Sequence, residues 1–454
     1  MKKKKHFSHS TTQIIMLSFF LAIMIGSILL ALPISSANGE AIPYIDALFT
    51  ATTATCVTGL VTLPTVTTWS LFGQVIILIL IQIGGLGIIT VMSGFMIFLH
   101  RKMGIGDRLL IQDAFNLNTL SGLIIFVKKV ICGTFVVEGI GALLYMTVFI
   151  PEFGVKGIWI SIFNSISAFC NAGIDIISEN SLCDYTTNPI VNSVTCALII
   201  VSGIGFVVWW DVIRVLKDTK NYRRKCFKHL TLHSKIALSA TAFLILAGAL
   251  AIFIFEYNNP LTMKEYSLFD KIQTSIFQSV TTRTAGFATI PQQNLTNASS
   301  IVSLLLMFVG GSPVGTAGGV KTVTITVLIA SALSSIKNKN EVTLFNRTIS
   351  KESIHKAIAV VCMSFTIMFT STVLLSAVAT DASALDIAYE TVSATATVGL
   401  SRNLTPFLNM WGKLIIIATM YLGRVGPISL AIAFNLRKRN ENLIKNPTEK
   451  ISVG

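Results

Sequence analysis

Residues 273–287 read QTSIFQSVTTRTAGF, and three other stretches of the 454-residue chain share this layout. Each is a short apolar, hydroxyl-rich segment that ends on one glycine followed by a bulky apolar residue. The other three are residues 44–60 (YIDALFTATTATCVTGL), 160–174 (ISIFNSISAFCNAGI) and 386–400 (DIAYETVSATATVGL). Successive terminal glycines are 114, 113 and 113 residues apart. A period this regular indicates that the chain is built from four internal repeats.

The composition is that of a membrane protein. Hydrophobic residues make up 52% of the chain, charged residues only 12%, and the mean hydropathy is +0.72, far from the averages of soluble domains. Apolar stretches long enough to cross a bilayer, which takes about 20 residues, occur at residues 14–32, 73–99, 123–150, 190–213, 236–255, 301–333, 357–378 and 414–434. We therefore expect eight helices that span a lipid bilayer.

The four short segments lie between these spans and cannot cross the bilayer themselves, so each must enter and return. Backbone that leaves helical geometry at membrane depth is tolerated only where it is buried or lines a water-filled path, and four such turns are expected to meet on one axis. The sequence thus predicts an all-α polytopic membrane protein of four helix–pore loop–helix repeats around one pseudo-fourfold pore. The predicted repeats are residues 1–115, 116–228, 229–347 and 348–454.

The residues at these turns suit a cation filter. A dehydrated cation needs inward-pointing carbonyl oxygens, and glycine permits the backbone angles that supply them. Ordinary loop turns are the alternative, which the fourfold registration disfavours. The candidate filter and ion-binding residues are Val57, Thr58, Gly59, Asn171, Ala172, Gly173, Thr284, Ala285, Gly286, Thr397, Val398 and Gly399. The bulky residues Leu60, Ile174, Phe287 and Leu400 are expected to pack behind them.

The distribution of positive charge predicts the orientation. Of the 35 Lys and Arg residues, 27 lie in the N-terminus, in residues 101–129, 214–235 and 337–356, and in the tail from residue 437. The positive-inside rule places these segments, and both termini, in the cytoplasm. Topology explains the charge better than binding to a polyanion does, so no nucleic-acid partner is expected.

The chain shows no arrangement typical of an enzyme. The seven cysteines form no CxxC pair, and all six histidines lie at the ends of spans that are predicted to be cytoplasmic, so no metal cluster is expected. We expect neither a cofactor bound to this chain nor enzymatic activity.

Residues 310–319 (GGSPVGTAGG) interrupt the second long helix of the third repeat. Glycine and proline disfavour helix there, and a loop at that point would lie on the cytoplasmic side of the filter, where it could act as a gate. A close helix contact is the alternative. The candidate gate residues are Gly310, Gly311, Ser312, Pro313, Gly315, Thr316, Gly318, Gly319 and Arg424.

Two arginines are expected at membrane depth, where an unpaired charge is costly. Arg424 could donate to carbonyls of the interrupted loop, or it could pair with Glu138. Arg283 is expected to brace the filter from behind, with Glu390 or Asp175 as its partner.

The sequence resembles the Trk/Ktr/HKT superfamily of potassium transporters, and within it most closely the membrane subunits of Ktr potassium uptake systems. The carrying motifs are Thr284-Ala-Gly-Phe287 preceded by Thr282-Arg283, Thr397-Val-Gly-Leu400, and Gly423-Arg-Val-Gly-Pro427. The resemblance implies uptake of potassium into the cell, driven by the potential across the plasma membrane, with potassium bound at the filter residues and sodium as a possible stimulating ion. A symporter with the same fold is the alternative, but the four turns contain no carboxylate for a coupling ion.

The resemblance also implies partners. It implies a homodimer in which each subunit has a complete pore, and a cytoplasmic KtrA-like ring of RCK-type nucleotide-binding regulatory subunits. The longest cytoplasmic connections run about twenty residues, too few for a regulatory domain in this chain. The expected docking surface comprises residues 101–108, residues 223–228 and the C-terminal tail.

Overall fold

The computed structural model describes residues 11–99, 104–114, 122–218, 226–339 and 341–426. Each repeat contains a first helix, a pore helix and a second helix. The first helices are Thr11–Leu30, Leu123–Phe153, Leu232–Glu256 and Lys351–Val378. The pore helices are Tyr44–Cys56, Lys156–Cys170, Leu268–Thr281 and Ala384–Ala396. The second helices begin with Leu71–Leu86, Pro189–Gly203, Asn297–Phe308 and Met410–Val425. The predicted fold class is confirmed.

The connections add shorter elements. Helical segments that follow the second helices are Ile88–Phe98, Phe206–Lys217 and Thr322–Ile336. Isolated short helices are Thr65–Thr68, Ile105–Ala114 and Cys226–His229. Single 3-10 turns occur at Pro33–Ser35, Cys183–Tyr185, Gln292–Asn294 and Thr405–Phe407. One antiparallel hairpin pairs Thr343–Leu344 with Arg347–Thr348.

Two pore helices begin with a reciprocal cap. The Ser267 side chain accepts a hydrogen bond from the Asp270 N–H, and its hydroxyl donates to the Asp270 carboxylate at 2.6 Å. Ser383 and Asp386 form the same pair in the fourth repeat, where the hydroxyl lies 2.7 Å from the carboxylate. Each cap satisfies a free N–H and places negative charge at the positive end of the helix dipole. The caps fix where these helices start.

The second helices of the first two repeats are broken by glycine. Gly87 has φ 82° and ψ 135°, and Gly205 has φ 91° and ψ 143°, a region open in practice only to glycine. The chain bends by 96° at the first break and by 95° at the second. The predictions of unbroken helices over residues 73–99 and 190–213 are therefore wrong, whereas the predicted interruption of the third repeat is present.

Burial is arranged as expected for a protein in lipid. One aromatic side chain in each pore helix, Phe49, Phe163, Phe277 and Tyr389, is buried completely, whereas the first helices expose large apolar side chains such as Phe243 (69%) and Phe369 (59%). In the described residues, three unbroken helices are long and apolar enough to cross a membrane, Gln13–Leu30, Leu232–Glu256 and Lys351–Val378, and the two bent pairs raise this to five. An apolar exterior around a polar-backbone centre is the arrangement that a bilayer requires.

Candidate ion pathway

Each pore helix ends in the same unusual backbone turn. Val57, Asn171, Thr284 and Thr397, two residues before the repeat glycines, have φ values of 54°, 57°, 67° and 50°. The glycines themselves have φ values of 99°, 65°, 84° and 99° in chain order. A non-glycine residue with positive φ costs of order 1–3 kcal/mol and persists only where its surroundings enforce it. A residue with positive φ at this position in all four repeats indicates that the four turns share one backbone conformation.

The four glycines form a closed ring. A Cβ atom added to Gly59 would lie 2.5 Å from the carbonyl oxygen of Ala172, the residue before Gly173. The same relation repeats around the ring: a Cβ on Gly173 would meet the carbonyl of Ala285, one on Gly286 that of Val398, and one on Gly399 that of Thr58. Each glycine therefore abuts the turn of the next repeat, and the last returns to the first. The four turns therefore converge on one axis, as predicted.

Hydroxyl groups of the pore helices hold the turns in shape. Thr53 Oγ1 accepts from the Gly59 N–H at 2.9 Å, and Ser393 Oγ accepts from the Gly399 N–H at 3.0 Å. Ser167 donates to the Ile174 carbonyl at 2.5 Å, and Thr281 donates to the Phe287 carbonyl at 2.6 Å. The residue after each glycine is fully or almost fully buried, at Leu60, Ile174, Phe287 and Leu400. These hydroxyls were missed, although Ser or Thr occurs six residues before the glycine in three repeats.

Several oxygens in the ring have no protein partner. The hydroxyls of Thr58 and Thr397 and the amide oxygen of Asn171 are buried and accept no hydrogen bond from the described residues. Buried polar atoms are otherwise almost always paired. These oxygens are therefore free to bind a ligand.

A cavity of about 560 Å³ opens on one side of the ring, and all four glycines line it. Its charged lining residues are Asp175 and Glu179, and no basic residue contributes to the described lining. Burial raises the pKa of the Asp175 carboxyl to about 6. We call this cavity the vestibule. Its charge favours cations at the mouth of the ring.

The interrupted segment of the third repeat lies against the other side of the ring. Val309 and Val320 pair as an isolated parallel bridge, so the chain leaves and rejoins the helix direction at almost the same place. Between them, residues 310–319 form a loop, which contains all the candidate gate residues except Arg424. We call this segment the intramembrane loop.

The intramembrane loop contacts the turns directly. Asn171 Nδ2 donates to Thr316 Oγ1 at 2.7 Å, and that hydroxyl donates to the Phe169 carbonyl at 3.1 Å. The Gly318 N–H donates to Thr284 Oγ1 at 3.1 Å. A Cβ on Gly318 would collide with the Thr397 hydroxyl. The loop thus touches the turns of three repeats, with glycine required at the closest approach.

The loop is also fastened to the second repeat. The Ser312 N–H donates to the Gly203 carbonyl at 2.8 Å, and the Phe206 N–H donates to the Val314 carbonyl at 2.9 Å. A Cβ on Gly315 would lie 2.7 Å from the Ser202 carbonyl. The glycine break at Gly205 therefore provides the backbone groups on which Pro313 and its neighbours rest.

Arg424 donates to backbone carbonyls. Its Nη1 lies 2.9 Å from the Thr316 carbonyl, and its Nη2 donates to the Gly84 carbonyl. Of the two predicted partners, the loop carbonyl is the one present. Glu138 instead accepts hydrogen bonds from Gln82 Nε2 at 3.2 and 3.3 Å.

The predicted partners of Arg283 are wrong. Its Nη2 donates to the Gly310 carbonyl at 3.2 Å and to Thr241 Oγ1 at 3.4 Å. Glu390 is satisfied by the hydroxyls of Ser401 and Thr405 at 2.7 and 2.5 Å. Carboxylates were expected because charges usually pair, but the irregular backbone of the loop exposes carbonyls that serve the same purpose.

Lys321 caps the start of the helix Thr322–Ile336, just after the intramembrane loop, and its contacts with the loop were not predicted from the sequence. Its Nζ donates to the Ala317 carbonyl at 2.5 Å and lies 3.5 Å from the Gly318 carbonyl. The lysine therefore closes the end of the loop on itself. Arg424 and Lys321 together bind three consecutive carbonyls, those of residues 316, 317 and 318.

The family model of TrkH, described as a cation transport protein, matches residues 2–445 of this chain. The chain belongs to the TrkH family of cation transport proteins. The resemblance to the Trk/Ktr/HKT superfamily is thereby confirmed, and the ring, the vestibule and the intramembrane loop are features of a TrkH family member.

Curated relatives match over nearly their full length. The chain is 39% identical to the potassium/sodium uptake protein NtpJ of Enterococcus hirae over 100% of this chain and 99% of that protein. It is 40% identical to the Ktr system potassium uptake protein B of Bacillus subtilis over 97% of this chain and 96% of that protein. The crystal structure of the potassium transporter TrkH from Vibrio parahaemolyticus superposes with a TM-score of 0.75 at 17% identity, covering 95% of this chain and 86% of that one.

Proposed function

We propose that this chain takes up potassium across the plasma membrane through a gated pore that contains a filter. The closed ring of four glycine turns is the observation that carries the proposal, since it brings backbone carbonyls from all four repeats close together, and buried oxygens in the same turns have no partner in the described residues. Replacement of a hydrated cation's water by such oxygens is the basis of selective conduction. Three relatives are named as potassium or potassium/sodium uptake proteins, and these names support potassium as the ion.

The charge pattern supports a direction. The basic segments follow the second helices, on the side of the ring where the intramembrane loop lies, and the positive-inside rule assigns that side to the cytoplasm. The acidic vestibule then faces outward, where it collects the ion to be imported. In this orientation, both termini are cytoplasmic.

The intramembrane loop is proposed as the gate. Thr316 and Gly318 contact the ring from its cytoplasmic side, so the loop must move before an ion can pass. Arg424 and Lys321 hold the loop through carbonyls alone, an arrangement that can be released without separating an ion pair. The ring contains no carboxylate for a coupling ion, and this favours a conduit over a symporter.

The filter assignment is tested by Gly286→Ser in purified protein reconstituted in liposomes. Uptake of potassium, rubidium and sodium is compared at a fixed membrane potential. Serine should lower the preference for potassium over sodium, because its Cβ would lie 2.5 Å from the Val398 carbonyl. The matched control is Gly139→Ser, since nothing lies within 4 Å of a Cβ there. Unchanged selectivity in Gly286→Ser would refute the assignment.

The partners are proposed on the family relationship. Three relatives are named as proteins of a Ktr system, and this supports a homodimer that docks a cytoplasmic RCK-type nucleotide-binding ring and is stimulated by sodium. Most of the predicted docking surface, residues 101–103, 223–225 and 427–454, lies outside the described residues. Charge reversal of Arg223, Arg224 and Lys225 should weaken the assembly in a salt-dependent way. Pull-downs over a range of ionic strength would measure this, and binding indifferent to both changes would exclude the docking model.

A further inference from the structure

A second cavity, of about 290 Å³, lies beside the intramembrane loop and is lined by two cationic side chains. Lys321 and Arg424 contribute the charge, and Phe308, Val360 and Ser364 contribute apolar and hydroxyl surface from the third and fourth repeats. No carboxylate is among the described lining residues. We call this space the cationic cavity.

The charge of the cationic cavity is not balanced by the described protein. The hydrogen bonds of Lys321 and Arg424 go to backbone carbonyls, and neither side chain belongs to an ion pair in the described residues. Carbonyl dipoles solvate a cation without neutralising it. Two neighbouring positive charges at membrane depth are costly when uncompensated, so the cavity favours an anionic ligand.

An apolar groove lies next to the cationic cavity. It has a volume of about 410 Å³ and runs between the first and second helices of the fourth repeat, past Leu374 and Ala418. Ile367 lines both spaces. Leu422 lines the groove, and the next residue, Gly423, lines the cavity. The two spaces are therefore neighbours, and together they offer a cationic end and an apolar end.

We propose that an anionic phospholipid binds at this site, with its phosphate at Lys321 and Arg424 and an acyl chain in the groove. A free inorganic anion shares the phosphate chemistry, but it has no apolar part. It would also leave the groove unused. A lipid matches both ends in charge and polarity. Its phosphate would neutralise the charge of the two side chains that hold the intramembrane loop. The lipid would thus bind beside the segment that is proposed as the gate, and this part of the inference rests on the proposed function.

Lipid retention tests the proposal without relying on transport. The wild-type protein is placed in nanodiscs of mixed phosphatidylcholine and phosphatidylglycerol, extracted, and its bound lipid quantified by mass spectrometry. The expected result is enrichment of phosphatidylglycerol over the bulk ratio. Lys321→Gln removes one charged donor and should weaken retention about tenfold. Ala418→Trp should displace the acyl chain and lower retention similarly, because Ala418 lines the groove and is exposed.

Matched controls separate the site from general effects. Leu246→Trp places the same bulk on an exposed position of the third repeat, and Lys356→Gln removes a charge from an exposed ion pair; both should retain the lipid. A separate arm measures binding of labelled inorganic phosphate in phosphatidylcholine discs. Loss in Lys321→Gln without loss in Ala418→Trp, together with phosphate binding, would show a free-anion site and overturn the lipid assignment. If the wild-type protein retains the two lipids in the same ratio as the bulk membrane, the lipid assignment is overturned whatever the variants show.

Discussion

Replacing Thr316 by valine should open the pore. The Thr316 hydroxyl is completely buried and makes two hydrogen bonds between the intramembrane loop and the second repeat, to Asn171 at 2.7 Å and to the Phe169 carbonyl at 3.1 Å. Valine keeps the shape and removes both. At about 1 kcal/mol each, the closed loop would lose about 2 kcal/mol relative to the open one. That free energy corresponds to a roughly 30-fold shift of the equilibrium toward the open state.

Rubidium uptake into liposomes, at fixed potential and without any regulatory partner, measures the effect. Asn171 keeps its bond to Ser202 at 3.1 Å, so the turn itself stays satisfied and selectivity should be retained. Thr326→Val is the matched control, because that hydroxyl bonds only within its own helix, to the Thr322 carbonyl. Unchanged or slower uptake by a folded Thr316→Val protein would show that the loop contact does not limit conduction.

Three further expectations concern the loop, the vestibule and the packing between repeats. Deleting residues 311–318 should raise uptake and weaken regulation, because it removes the proposed gate. The shortened chain can still close, since a Cβ on Gly310 would lie only 3.0 Å from the Gly319 Cα. Lower flux in a folded protein would show that the loop is structural. Uptake should fall as the pH on the vestibule side drops through about 6, since Asp175 then gains a proton and loses its charge. Asp175→Asn should abolish that step in a pH series, and an unaltered profile would assign it elsewhere. Lys413→Met should lower the free energy of unfolding by about 3 kcal/mol or more, because it leaves the buried Asp46 carboxylate, which lies 2.5 Å from Lys413 Nζ, without a partner. Thermal unfolding in detergent should show that adding Asp46→Asn restores part of this stability. An equal loss in the single and the double variant would contradict the pairing.

The ring could be predicted from the sequence because each turn depends on local residue types that recur in all four repeats. A glycine preceded by a hydroxyl-rich helix and followed by a buried apolar residue is visible in the residue order, and four copies at a constant period imply closure. The interruption at residues 310–319 was predictable for the same reason, since proline and five glycines oppose helix within a few residues.

The bends at Gly87 and Gly205 were not predicted. A single glycine in a long apolar run is compatible with an unbroken helix, and no proline accompanies either one. A signal exists in hindsight, because residues 84–87, 202–205 and 423–426 read GGLG, SGIG and GRVG, and each ends on a glycine with φ between 82° and 91°. Only the comparison between repeats reveals it.

The hydrogen-bond partners of the buried arginines could not be predicted from the sequence, for a different reason. Carboxylates can be counted in a sequence, whereas the carbonyls that accept from Arg283 and Arg424 are free only because the loop and the neighbouring helix end leave regular hydrogen bonding. That backbone geometry is a property of the assembled fold. Hydrogen-bonding capacity created by irregular backbone has no residue type to mark it.

The pore-facing ring is contributed equally by four repeats, but the loop that covers it comes from one. If the ring is the filter, as proposed, discrimination between ions depends on all four repeats, because a change in any turn reaches the next turn through the glycine contact. If the intramembrane loop is the gate, as proposed, the moving element comes from the third repeat alone, and Arg424 of the fourth repeat holds it. Two selective pressures can therefore act on separate parts of the same gene, so that the responsiveness of uptake can be retuned in one segment while the ion preference encoded by all four is inherited intact.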